Sequence, residues 1–193
     1  MLQKIDRVKM HSYPGMVAVV GTYGNENPNF MAAGWHSFLS INPPMYGVAI
    51  GRERFTYKCL QQKKEFTVNF LPESLAEFIQ LSGSVSGEDV NKIEIANLQS
   101  KDAETVDAPY LENAYIVYEC SINNMVSTGD HEWVIGDIET CRVDEGLFQE
   151  DGLPNFEKLN IPLYLGRSTY VTLDAQAKQK QYKKPYEDDS EKS

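Results

Sequence analysis

The chain has 193 residues, of which 41% are hydrophobic, so it can bury a core of its own within a single domain. Its 18 basic and 28 acidic residues give a net charge of −10 without any basic run, which argues against nucleic acid and membrane surfaces as partners. No membrane span or signal peptide is expected, because long apolar stretches are absent from the sequence. Three widely spaced cysteines without a C-x-x-C pair fit the reducing cytoplasm.

The first predicted strands include an unusual stretch. The apolar run at 16–23 ends in a Gly-Asn turn, which predicts a strand and a hairpin. NPNFMAAGWHSFLSINPP at 27–44 predicts the partner strand, and MYGVAIG at 45–51 predicts another buried strand. The partner strand carries an Asn, a Trp, a His and a Ser where a structural strand favours Val or Ile. It is either an ordinary half-exposed strand or the wall of a site for a flat ligand with polar edges.

Two short helices are predicted between the next strands. In RERFTYKCLQQKKE, Thr56 is a suitable cap for a helix. EFTVNF at 65–70 has the β-branched and aromatic content of a strand. In LPESLAEFIQLSG at 71–83, apolar residues recur at the spacing of an amphipathic helix that ends near Gly83.

The second half is predicted to be more purely β. Residues 114–126 and 131–143 alternate between two faces and form a long hairpin, and 162–173 supplies one or two short strands. Six to eight strands with few helices predict a mainly β fold with short helices, a barrel with helical insertions, over residues 1–173. The polar composition of 174–193 predicts a disordered tail or, at most, an arm bound to a partner.

Several chemistries with recognisable motifs are not supported. The three histidines are 25 and 95 positions apart, so no metal site is predicted. Neither dinucleotide-binding nor P-loop glycine patterns occur, which excludes Rossmann and P-loop nucleotide sites. No G-x-S-x-G elbow is present, so covalent hydrolysis is disfavoured. The cysteines are best explained as small packed side chains.

A candidate anion site lies in GRERFTYKCL, residues 51–60. Arg52 and Arg54 lead directly into the predicted helix, so two guanidinium groups, the Thr56 hydroxyl and free backbone N–H groups can converge. This combination suits phosphate, which arginine binds bidentately. The alternative is a solvated charged turn.

The preceding strand favours the anion site over the solvated turn. A hairpin would bring its end beside the candidate phosphate site, with the polar groups of Asn29, His36 and Ser37 along one flat cavity. Such a cavity suits a phosphorylated planar heterocycle.

Six blocks occur in a recognisable order along the chain: the 27–44 stretch, RFTY, EFTVNF, SGEDVNK, DAPYLENAYIVYEC and GDHEWVIGDI. In this order they resemble the flavin reductase-like, FMN-binding split-barrel family, and most closely its flavoredoxin branch, from about residue 14 to residue 170. The resemblance implies an FMN-binding split β-barrel with FMN as its cofactor. It also implies a homodimer with the flavin near the subunit interface.

The resemblance also implies residue roles at a flavin site. Asn29 and Trp35 would line the flavin, and Arg54 and Thr56 would lie beside the phosphate. The simplest alternative for Trp35 is a core position. The cofactor site predicted from the strand, the anion site and the resemblance comprises Asn29, Trp35, His36, Ser37, Arg52, Arg54, Thr56, Lys92, His131 and Tyr164.

Two positions depart from the family pattern. Ala32 stands where relatives often have Thr, so a hydroxyl contact to the ring edge must be replaced by backbone or by His36. Glu132 also stands where relatives often have Thr, and if it faces inward it would disfavour an anionic reduced flavin. Lys92 as a solvated helix residue and His131 as a surface residue are the simpler alternatives.

The leading functional hypothesis is an FMN-binding oxidoreductase. It would pass electrons from NADH or NADPH through bound flavin to an acceptor, which is free flavin, a ferric complex or a protein. The alternative is an FMN electron carrier, flavoredoxin-like, that a protein partner reduces and that has no nicotinamide site; the acidic surface favours this docking. A third hypothesis is a split barrel that has lost flavin and serves as a scaffold or binds another small molecule. No residue is assigned a catalytic role.

Overall fold

The computed structural model describes residues 1–25 and 27–182. These residues form mostly antiparallel strands with short helices. The strands are β1 Ala18–Gly24, β2 Asn27–Ala33, β3 His36–Ile41, β4 Pro44–Gly51, β5 Glu65–Phe70, β6 Ser100–Asp102, β7 Pro109–Leu111, β8 Ile116–Thr128, β9 His131–Val143, β10 Ile161–Gly166 and β11 Thr169–Leu173. The α-helices are α1 Phe55–Lys63, α2 Ala76–Ser84 and α3 Lys92–Ala96, and short 3₁₀ turns cover Glu73–Leu75 and Glu145–Leu147. The mainly β prediction is confirmed.

The main sheet has seven strands in the order β2-β1-β5-β8-β9-β4-β3. Its two edge strands, β2 and β3, follow one another in the chain and are joined only by Gly34 and Trp35. The two edges of the sheet come together at this two-residue bend, where the Ala49 N–H of β4 donates to the Trp35 carbonyl at 2.9 Å and extends the β3–β4 pairing. The sheet is therefore a barrel that is split at this seam.

The predicted single strand at 27–44 is wrong, since this stretch forms two strands at opposite ends of the sheet order. The chain bends at Gly34 and Trp35, so the residues before and after them pair with different neighbours. Asn29 pairs with Thr22 of β1, whereas His36 pairs with Val48 of β4. The hairpin of β1 with β2 is confirmed.

Two apolar cores lie on the two faces of the sheet. Along β1, Val20 faces the barrel interior and packs with Val48, Phe66 and Val134. The preceding residue, Val19, points the other way, as alternation along a strand requires, and belongs to a second core. That outer core also contains Phe30, Leu71 and two buried residues of α2, Phe78 and Ile79. Helix α2 is thereby held against β2, beside the seam.

The C-terminal hairpin of β10 and β11 packs against the N-terminal segment. The backbones of Gly15 and Tyr164 exchange two hydrogen bonds of 3.2 and 2.8 Å, which fixes the hairpin next to the start of the barrel. Of the predicted tail, residues 174–182 form neither helix nor strand, and 183–193 lie outside the described residues. Among the helices described, none has the length and apolar character needed to cross a membrane.

Candidate functional site

A cavity of about 310 Å³ lies at the seam of the barrel. Its walls come from β2, the Gly34–Trp35 bend, β4, α2 and the C-terminal hairpin. It is lined by Tyr13, Val17, Met31, Ala32, Ala33, Gly34, Trp35, Ala49, Gly51, Arg54, Ile79, Gln80, Gly83, His131, Tyr164 and Tyr170. None of these described residues is acidic, although the chain carries a net charge of −10. We call this space the seam cavity.

A second cavity of about 260 Å³ continues from the first, because Met31 and Arg54 line both. Its other lining residues are mainly small and polar. They are Glu53, Phe55, Thr56, Ser82, Ser84, Val85, Ser86, Gly87 and Lys92. The two cavities together form an elongated site with an aromatic end and a polar end, and we call the second the polar cavity.

The start of helix α1 forms one wall of the polar cavity. The helix begins at Phe55, its N-cap is Arg54, and no side chain of the described residues accepts from its first turn. Among the described residues the Phe55 and Thr56 N–H groups have no partner, whereas the Tyr57 N–H donates to the Arg54 carbonyl at 3.0 Å, so the first two N–H groups are available to an anion. Arg54 is more than half exposed and also pairs with Glu53 at 3.1 Å. The prediction that Thr56 caps this helix is wrong, because Thr56 lies inside its first turn.

A buried polar pair links β2 to α1 at the polar cavity. The Asn29 Nδ2 group donates to the Thr56 Oγ1 atom at 2.9 Å, and both side chains are almost fully buried. The Asn29 Oδ1 atom is also buried and has no hydrogen-bond partner among the described residues. It lies against Gly87, where any Cβ would collide with it. Because a buried acceptor without a donor is costly, Asn29 indicates that a ligand donates here.

Lys92 lies beneath the polar cavity and is 4% exposed. Its Nζ atom donates to the Phe30 carbonyl at 2.8 Å and to the Ser82 carbonyl at 3.0 Å. Burial, reinforced by the nearby charge of Arg54, lowers the pKa of Lys92 to about 8. A charged ammonium has three donors, so one remains for a ligand. The alternative of a solvated helix residue is wrong for Lys92.

Trp35 and His131 form an aromatic wall of the seam cavity. Their ring centroids are 4.9 Å apart. The His131 Nδ1 atom is hydrogen-bonded to the adjacent Asp130 carboxylate at 2.7 Å, and this contact lowers the pKa of Asp130. Trp35 is 38% exposed, so it is not a core residue.

Another wall of the seam cavity is built from tyrosines that are distant in sequence. Tyr164 packs edge-on against Tyr13 at 5.2 Å and at a tilt against Tyr170 at 5.1 Å. The Tyr170 hydroxyl donates to the Gln80 side chain at 3.2 Å. Of these residues the sequence predicted only Tyr164, because the pairing of the N-terminal segment with the C-terminal hairpin has no short-range signal.

Arg52, His36 and Ser37 line neither cavity. Arg52 donates from Nε to the Glu132 carboxylate at 2.8 Å and from a terminal nitrogen to Ser127. His36 bonds the Tyr46 hydroxyl at 2.6 Å and the Met16 carbonyl at 2.9 Å, and burial lowers its pKa.

Ser37 is exposed and donates to the neighbouring carbonyl of Phe38. The strand that follows Trp35 turns away from the seam, which explains why His36 and Ser37 are separated from the site. His36 therefore cannot replace the missing hydroxyl at Ala32, which itself lines the seam cavity. Glu132 lines neither cavity, and Arg52 offsets its charge.

The structure thus brings seven of the ten predicted residues to one site. Trp35, His131 and Tyr164 line the seam cavity, Thr56 and Lys92 line the polar cavity, and Arg54 lines both. Asn29 joins them through Thr56. The run of small residues at 82–87, SGSVSG, which forms the end of α2 and the turn after it, also belongs to the site, and its composition was the available signal for a close backbone approach.

Comparison with known proteins identifies the family. The model of the flavin reductase like domain matches residues 10–174. An FMN-binding protein from Thermus thermophilus superimposes with a TM-score of 0.82 at 31% identity, covering 93% of this chain and all of the other. Flavoredoxin of Desulfovibrio vulgaris superimposes with a TM-score of 0.81 at 26% identity, covering 96% and 98%. An uncharacterized protein of Archaeoglobus fulgidus is 33% identical over 68% of this chain and 73% of its own length. The chain therefore belongs to the flavin reductase-like family and has its split-barrel fold.

Proposed function

We propose that the chain is an FMN-dependent oxidoreductase that accepts electrons from NADH or NADPH and passes them to an acceptor. The observation that carries this proposal is the joining of two unlike cavities. The seam cavity is aromatic and free of acidic side chains among its described lining residues, and it opens into a polar cavity with Arg54 and a helix N-terminus. A flat ring with a phosphorylated arm has this same division between an apolar body and an anionic end.

The residues present fit FMN chemically. The polar end offers donors to a phosphate from Arg54, the first turn of α1, the Thr56 hydroxyl and Lys92. The Asn29 Oδ1 atom, buried without a donor in the described chain, would accept from a hydroxyl or N–H group of the cofactor. The ring would lie against the bend at Trp35. Bound FMN would supply a redox centre that takes up two electrons.

The chain itself would supply position, exclusion of water and charge. Arg54 and Lys92 place positive charge where an anion must be held, which offsets the acidic character of the whole molecule. His131, oriented by Asp130, places a hydrogen-bonding ring on the wall of the seam cavity. Positive or donating groups at this wall stabilise negative charge that develops on a bound ring during reduction.

The descriptions of two relatives support this proposal. The Thermus thermophilus protein is described as FMN-binding, and the Desulfovibrio vulgaris protein as a flavoredoxin. We further propose a cytoplasmic homodimer with the flavin near the subunit interface. A second copy would complete a site whose seam cavity is partly open in one chain.

An electron carrier reduced by a protein partner is the second candidate. The net charge of −10 favours it, because an acidic surface steers the docking of a basic redox protein. This carrier would use the same flavin site without binding a nicotinamide nucleotide.

Absorption spectra of the purified protein separate these possibilities. The protein, as isolated or after incubation with FMN and gel filtration, is expected to be yellow, and anaerobic NADH or NADPH should bleach it. Bound FMN that resists both nucleotides but is reduced by a partner, with a rate that falls as salt increases, would select the carrier. A protein that retains no FMN under these conditions would refute both functions and favour a barrel that has lost flavin.

A further inference from the structure

The N-terminal arm, residues 1–12, is exposed along its whole length and forms neither helix nor strand. It nevertheless carries many large apolar side chains. Those exposed to solvent are Met1, Leu2, Ile5, Val8 and Met10. Three of them follow one another at intervals of three residues, a spacing that places side chains on one face of a helix. The arm also lies almost wholly outside the domain match, which begins at residue 10. Apolar side chains exposed in this number indicate a binding surface.

An unfilled apolar groove of about 480 Å³ lies between α2 and α3. We call it the α2–α3 groove. It is lined by Ser74, Leu75, Glu77, Phe78, Leu81, Ile95, Ala96 and Leu98. Six of these eight side chains are apolar, and Ile95 is 60% exposed. The α2 residues that line the seam cavity, Ile79, Gln80 and Gly83, are not among them. The groove is therefore separate from the proposed flavin site.

The charges of the arm and the groove are complementary. Lys4, Arg7 and Lys9 against Asp6 give the arm a net charge of +2, so the rest of the chain carries −10 − 2 = −12. Glu77 lines the groove, and the neighbouring Glu73 and Glu94 are exposed beside it. None of the described residues that line the groove is basic.

We propose that the N-terminal arm of one copy of this chain binds in the α2–α3 groove of a second copy. Within one chain the arm does not contact its own groove. Its base is fixed by the backbone pairing of Gly15 with Tyr164 and by the packing of Tyr13 on Tyr164, on the side of the seam cavity. None of residues 1–12 lines the groove. Two copies that exchange arms would form the same contact twice, as two-fold symmetry requires.

The exchange would also reduce an electrostatic barrier to association. Two bodies of charge −12 repel one another, and each arm places basic side chains next to the acidic rim of the other body. Meanwhile the apolar side chains of the arm leave solvent, which is the main source of binding free energy. This proposal does not depend on the proposed flavin function.

Photo-cross-linking of the full chain tests the proposal directly. The variant Ile5→benzoylphenylalanine, prepared with ¹⁴N and with ¹⁵N, is mixed, irradiated and digested for mass spectrometry. Cross-links between arm peptides and α2–α3 groove peptides of the opposite isotope are expected. Cross-links confined to one isotope would show that the arm binds its own copy, and the absence of groove cross-links would show that it binds elsewhere. Either result overturns the proposal.

Substitutions in the arm provide a control that cannot unfold the barrel, since the arm packs on nothing in one chain. Val8→Asn should reduce the mixed-isotope cross-link by roughly tenfold, because it removes an aliphatic side chain that the proposed contact would bury. Gln3→Asn makes a matched polar change and should leave the yield within about twofold. Arg7→Glu should lower the yield, and Glu77→Lys in the same chain should restore it. Equal yields for Val8→Asn and Gln3→Asn would contradict apolar docking, and the far-ultraviolet circular dichroism spectrum serves as the check that each variant is folded.

Discussion

Lys92 should make the free energy of unfolding depend on pH in the alkaline range. Its side chain is 4% exposed, and burial together with the Arg54 charge lowers its pKa from 10.5 to about 8. Between these values the unfolded chain holds the proton and the native chain does not. The free energy of unfolding therefore rises as the pH increases through this window. An interval of about 2.5 pH units, at about 1.36 kcal/mol each, corresponds to about 3 kcal/mol.

Urea denaturation of the flavin-free chain and of Lys92→Met, between pH 7 and 10.5, measures this contribution. Subtracting the two free energies cancels the other titrating groups, and a neutral lysine amine keeps two N–H donors for the Phe30 and Ser82 carbonyls. The free energy of unfolding of the unsubstituted chain, minus that of Lys92→Met, should increase by about 3 kcal/mol from pH 8 to 10.5. In an Arg54→Ala background the onset should move to higher pH. A difference that stays constant across the range would refute a desolvated, charged Lys92.

Three further substitutions test the site and its support. Arg54→Ala should weaken FMN binding by roughly 1.5–3 kcal/mol in a fluorescence titration. Lys58→Ala, which removes a basic side chain of α1 outside both cavities, should leave FMN binding unchanged. Equal effects of the two substitutions would exclude a specific phosphate contact. Glu119→Gln should lower the free energy of urea unfolding by roughly 3–5 kcal/mol, because the fully buried carboxylate accepts from a guanidinium and three other donors. Gly87→Ala should displace Asn29 and weaken FMN binding at least tenfold, or about 1.4 kcal/mol, with little change in circular dichroism; unchanged affinity would separate Asn29 from the cofactor.

The local elements could be predicted because their signals are contained in short windows. Strand alternation gives the β8–β9 hairpin, apolar spacing gives α2, and a Gly-Asn turn gives the β1–β2 hairpin. The division of residues 27–44 into two strands could not be predicted from a short window. Both halves have strand composition, and the bend between them is set by pairing with β1 on one side and β4 on the other. The hydrophobic periodicity of a strand does not indicate which other strand it will pair with.

The same limit applies to the site. His36 adjoins Trp35 in sequence, yet it lies among aromatic side chains of the barrel, because the chain bends at the seam and successive strand residues face opposite sides. Conversely, Tyr13 and Tyr164 are 151 positions apart and share a wall of the seam cavity. The sequence does not distinguish a strand residue whose side chain points into the site from one whose side chain points away from it.

Arg52 and Arg54 show why charge in a short motif does not by itself locate an anion site. Both precede α1, and the sequence alone allows either guanidinium to reach a phosphate. Arg52, however, is paired with Glu132, a residue 80 positions later on β9 with 9% of its surface exposed, so its charge is already balanced. Arg54 has only the exposed Glu53 as its partner, and water screens such a pair strongly. A ligand phosphate would therefore compete easily for Arg54 but would have to break a partly buried ion pair to recruit Arg52. The long-range contact, not the motif, determines which of the two arginines is available to the proposed cofactor.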